Sequence, residues 1–92
     1  EIWSFRHQLR YIPAGKILRI IVSDEADLVW TADKWIHSKM IQPVLNKLLD
    51  LWYFDLQASE LIPGINVEFT FYWKSALKWE GRNYAVSIKN SN

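Results

Sequence analysis

The segment KWEGRNY (residues 78–84) sets an indole beside four side chains that can hydrogen-bond. A sugar ring presents an apolar face of C–H bonds and an equatorial belt of hydroxyls. Recognising it takes a flat aromatic for the face and fixed donors and acceptors for the belt. Trp79 is a candidate platform, with Lys78, Glu80, Arg82 and Asn83 as candidate partners. The plainer reading is a solvated Glu80–Arg82 pair over a turn, worth little to stability. On composition alone that reading is slightly ahead, because polar turns are common. A second stretch, WTADKW (residues 30–35), carries two more indoles. Trp30 shares the parity of Leu28 and is expected in the core. Trp35 lies past the strand beside Asp33 and Lys34, equally suited to a ligand or to folding back over the domain edge. Trp73 has the parity of Val67, Phe69 and Phe71 and is expected at the core or its margin.

Catalysis finds less support. There is no Ser or Cys nucleophile motif, no glycine-rich phosphate loop and no HExxH. Glycosidase chemistry requires two carboxylates across a cleft, and the spacing of Asp33, Asp55 and Glu80 gives no sign that they converge. With no cysteine, and only His7 and His37 as histidines, no thiol chemistry or metal-ligand spacing is present, and no metal or cofactor is expected. A net charge of +1 with interspersed signs creates no field for nucleic acid or a membrane surface. No apolar run approaches the roughly 20 residues that cross a bilayer, and no signal peptide is visible.

The elements that must position these residues are short. Ninety-two residues, half of them hydrophobic, make one small domain. Residues 1–15 show no period and read as a lead-in or linker ending at Pro13 and Gly15, able to pack on the domain through Trp3, Phe5 and Tyr11. The domain proper is expected over 16–92. Strands are predicted near 16–22, 27–31, 50–56, 67–73 and 83–88, and VEFTFYW (67–73) alternates most clearly. Between them, Ile36, Met40, Ile41, Val44, Leu45, Leu48, Leu49 and Trp52 recur at helical spacing, interrupted by Pro43. A loop or one short helix is expected in 36–49. Short strands, polar turns and no βα alternation predict an all-β fold, an antiparallel immunoglobulin-like sandwich.

The order of these features resembles a family. IPAGKILRIIVSDEADLVWTADKW, followed by LIPGINVEFTFYWKSALKWEGRNYAVSI, is similar to the small β-sandwich at the C-terminus of certain bacterial glucoamylase-like proteins (glucan 1,4-α-glucosidases), and to starch-binding carbohydrate-binding modules. The family's DGW-like loop appears as ADKW, with Lys34 where glycine usually falls. Its F-x-F strand appears as FTFYW, and its W-[DE]-N/G…NY turn as WEGRNY. The resemblance covers roughly residues 12–88, although 36–50 is unusually apolar for that family's polar loop. It implies Trp35 and Trp79 as stacking platforms, with Lys34, Glu80 and Asn83 as hydrogen-bonding neighbours. It further implies a non-catalytic module of a larger glycoside hydrolase, binding α-glucan (starch or glycogen) in a soluble setting, the bacterial cytoplasm. The partners expected are the glucan and the parent's catalytic domain. The alternative is a structural or protein-interaction sandwich that docks on that catalytic domain. A stand-alone hydrolase is the least favoured.

Overall fold

The structure, a computed structural model, describes residues 1–90. Two sheets pack face to face as an all-β sandwich. The smaller has the order β1 (Ile2–Trp3), β3 (Leu18–Val22), β7 (Leu51–Leu56), β6 (Val44–Asn46). The larger runs β2 (Tyr11–Pro13), β10 (Tyr84–Lys89), β8 (Asn66–Trp73), β4 (Ala26–Thr31), β5 (Lys39–Ile41), and β9 (Lys78–Trp79) hairpins back onto β8. A 3-10 turn, Ala58–Glu60, follows β7. No α-helix occurs among the described residues.

Alternation explains the layers. In β3 the buried residues are Leu18, Ile20 and Val22; in β8 they are Val67, Phe69 and Phe71, and in β4 Ala26, Leu28 and Trp30. Period 2 sends these to the interior and their neighbours outward. All five predicted strands are present, including 50–56, where the density of Trp52, Tyr53 and Phe54 outweighed the helical spacing before it. Trp73, half-buried at the core margin, stacks on Phe71 at 5.2 Å.

Two elements differ from the sequence expectation. Residues 1–15 are part of both sheets: β1 pairs in parallel with β3, and β2 in parallel with β10, so the sandwich is not wholly antiparallel. Trp3, only 1% exposed, is the hub of the aromatic core, edge-on to Phe69 at 4.9 Å and 5.1 Å from Tyr84. Strands of two and three residues are too short to show a period, which is why this segment reads as a linker.

The second difference is 36–49, where no helix forms. Lys39–Ile41 adds to the large sheet beside β4, and Val44–Asn46 adds to the small sheet beside β7, so the chain changes sheets across Gln42 and Pro43. Pro43 supplies no N–H and disfavours helical backbone at Gln42. Most residues that suggested an apolar helix face are exposed instead, Met40 by 62% and Leu48 by 96%, while Ile41 and Trp52 are half-buried against the core. The core receives only those two of them, and propensity alone rarely holds so short a helix. Asn46 closes the segment by accepting the Leu48 and Leu49 N–H groups on Oδ1 at 3.1 and 3.2 Å.

Candidate functional site

Trp79 is placed by the β8–β9 hairpin. Its register partner is Tyr72, and paired residues share a face. Tyr72 has the parity opposite to the buried row, so both rings lie on the outer face of the large sheet. They meet edge to face at 5.2 Å, and Trp79 stays 52% exposed. Tyr72 was not anticipated as a site residue. Its signal was present in the sequence as the aromatic on the non-core side of VEFTFYW.

Glu80 locks the hairpin rather than standing open for a ligand. One carboxylate oxygen accepts the Trp73 indole N–H at 2.8 Å and the other the Tyr84 hydroxyl at 2.6 Å. Its backbone N–H donates to the Phe71 carbonyl at 2.8 Å. Burial, followed by the bond to Glu80 and its negative charge, pushes the Tyr84 phenol up to about 12. Glu80 is thus a positioning residue that fixes the backbone next to Trp79. Arg82 does not pair with Glu80: its guanidinium lies over the Tyr84 ring at 5.3 Å, while Thr70 Oγ1 donates to the Arg82 carbonyl at 2.8 Å. Asn83 and Lys78 are exposed beside this face.

The other predicted platform sits elsewhere. After β4 the chain turns on Thr31, whose buried hydroxyl accepts the N–H groups of Asp33 at 3.2 Å and Trp35 at 3.1 Å. Asp33 accepts the His37 backbone N–H at 2.9 Å and faces His37 Nδ1 at 2.7 Å. These bonds, His37's first and that of Thr31 after them, hold the Asp33 carboxyl down at about 2. Lys34 and Trp35 both take left-handed backbone, at φ 57° and 69°. Glycine adopts that region without steric cost, so the position where the resembled motif carries glycine has the geometry of one. Trp35 is half-buried, with a buried indole N–H that lacks a partner.

Register separates the two loops. Thr31 pairs with Glu68 on β8, whereas Trp79 pairs with Tyr72. Glu68 and Tyr72 are four residues apart along the strand, about 13 Å. Trp79 and Asn83 therefore share one face with Tyr72 and Thr70, and Lys34 and Trp35 belong to the far end of the same sheet. The carboxylates are likewise dispersed: Asp33 binds His37, Glu80 binds Trp73 and Tyr84, and Asp55 on the small sheet forms a bidentate pair with Arg19 at 2.8 Å.

No family model matches the chain, and comparison with curated proteins and with solved structures yields no match.

Proposed function

We propose that this domain is a non-catalytic saccharide-binding module whose platform is Trp79 on the outer face of the large sheet, with α-glucan as its ligand. One observation carries the reading: a half-exposed indole rests edge-on against Tyr72, beside a residue anchored by three hydrogen bonds. Anchoring matters because weak, stacking-driven binding gains most when the ring is held in place beforehand. Asn83, Arg82 and Lys78 supply exposed hydrogen-bonding groups around it. The choice of α-glucan rests on the resemblance of FTFYW and WEGRNY to starch-binding modules. Within it, Glu80 supports the platform from behind, and Trp35 and Lys34 stand apart from it. Affinity electrophoresis through a gel containing soluble starch tests the reading. Retardation of the wild-type domain, lost in Trp79→Ala, is the expected result; equal mobility with and without starch would refute it.

A second reading has its own observation. Ile36, Met40, Val44, Leu45, Leu48 and Leu49 are all exposed within one short stretch that forms an edge of each sheet. Exposed apolar clusters of this kind mark docking surfaces. A module joined to a glucoamylase-like catalytic domain would use such a flank to pack on it, while the Trp79 face stayed open.

A further inference from the structure

At the mouth of the sandwich, beside the β4–β5 loop, lies a shallow cavity of about 230 Å³ that none of the Trp79 residues touches. Trp30, Thr31, Asp33, His37, Lys39 and Glu60 line it. Lys39 is the register partner of Trp30, so both face the interior side of the sheet at its edge, and the Lys39 ammonium sits 5.6 Å from the Trp30 ring centre. Glu60 reaches Lys39 from the 3-10 turn and closes one wall. The Asp33–His37 pair lines it as well.

We propose that this cavity is a second saccharide subsite, taking a single sugar ring of a neutral oligosaccharide. Charge decides the ligand class. A free anion would meet two carboxylates, and a free cation would meet the Lys39 ammonium, because both acids are already engaged. A wholly apolar ligand would cover the side chains of Asp33, His37, Lys39 and Glu60 and leave them without water, at a cost in desolvation. A neutral polyol suits all of them. Its hydroxyls donate to the remaining lone pairs of Asp33 and Glu60 and accept from Lys39, while its C–H face lies on the apolar Trp30 and Ala32 surface. The volume falls below the roughly 300–1,000 Å³ of pockets for drug-sized ligands, which fits one ring rather than an extended chain. Trp30 supplies a reporter: it lines the cavity while only 4% exposed, and its indole N–H, buried and without an acceptor within the protein, senses changes at the cavity without contacting a ligand. Trp30 pairs with Phe69 and Trp79 with Tyr72, three residues apart along β8 and on opposite faces of the sheet, so the two sites take separate rings.

The subsite has the ligand class of the Trp79 reading but none of its residues, so the two fail separately. The test is a titration of the domain carrying 15N-labelled tryptophan with maltotriose, cellotriose and xylotriose, the Trp30 and Trp79 indole N–H signals being assigned from Trp30→Phe and Trp79→Ala. The Trp30 signal should move with at least one trisaccharide, and should still move in Trp79→Ala. Glu60→Gln, an exposed change in a 3-10 turn, should weaken the Trp30 response by roughly three- to tenfold, the range that one hydrogen bond supplies, and leave the Trp79 response as it was. A Trp30 signal that stays fixed with all three sugars at tens of millimolar overturns the subsite, even if Trp79 responds. So does a Trp30 response indifferent to Glu60→Gln. A response at Trp30 alone would uphold this subsite and remove the platform reading instead.

Discussion

Six tryptophans in 92 residues divide by what surrounds each indole. Trp3 is enclosed by Phe5, Phe69 and Tyr84 at ring distances of 4.9–5.1 Å, so its truncation leaves a void that a close-packed interior cannot fill. Trp3→Ala should cost about 3–5 kcal/mol of stability, read from denaturant unfolding. Trp79 touches Tyr72 and is otherwise half in water, so Trp79→Ala should fall within about 1 kcal/mol of wild type in the same experiment. Glu80 behaves as neither core nor ligand contact. Glu80→Gln keeps the shape but removes the charge that Trp73 and Tyr84 bind, at a cost of about 1–3 kcal/mol. The phenol offers a separate readout. Its pKa is raised in the folded protein, so the neutral form is favoured there, and the associated stability is present below about pH 10 and lost as pH rises toward about 12. In Glu80→Gln the ultraviolet titration of Tyr84 should move to lower pH. An unmoved titration would mean that Glu80 has no hold on that hydroxyl.

Among the elements, the β4–β5 loop is held by a carboxylate network whose strength depends on pH. The Asp33 carboxyl is held down at about 2 in the folded chain, below its ordinary range near 4. A depressed acid contributes stability above its unfolded pKa and loses it as pH falls through the folded one. The melting temperature should accordingly drop between about pH 4 and pH 2. Asp55, lowered by its hydrogen bonds and charge pairing with Arg19, contributes in the same direction. Asp33→Asn isolates the loop's share: the acid drop should be shallower than in wild type, and an identical slope would assign it to Asp55 and other groups. The 39–46 crossover is a different kind of element. Of its apolar residues at helical spacing only Ile41 packs on the core, Met40, Val44 and Leu45 being exposed, and Pro43 directs the backbone into two short edge strands. Helical spacing records which side chains are apolar, not whether a surface exists to receive them.

At the scale of the whole molecule, the sandwich was legible wherever strands were long enough to alternate. Val67, Phe69 and Phe71 announced β8, and Leu28 and Trp30 announced β4. The parallel edges β1 and β2 were not, because pairings of two or three residues leave no periodic trace and depend on contacts far along the chain. The candidate site was half legible. WEGRNY pointed to Trp79, but which face a residue takes, and where its loop sits, is set by register. Tyr72 joins Trp79 through cross-strand pairing, while Trp35 is carried to the far end by the pairing of Thr31 with Glu68. Glu80, read as a sugar contact, turned inward because Trp73 and Tyr84 supply two donors at the right depth. The central claim is that the outer face around Trp79 binds α-glucan by stacking, on a fold that does not need the indole. The most direct measurement is calorimetric titration of wild type and Trp79→Ala with maltoheptaose, alongside melts of both. Binding to the wild type, weakened by about 1–3 kcal/mol or abolished in the variant with the melt nearly unchanged, is the predicted result. Equal affinity in the two proteins, or no binding by either, would contradict it.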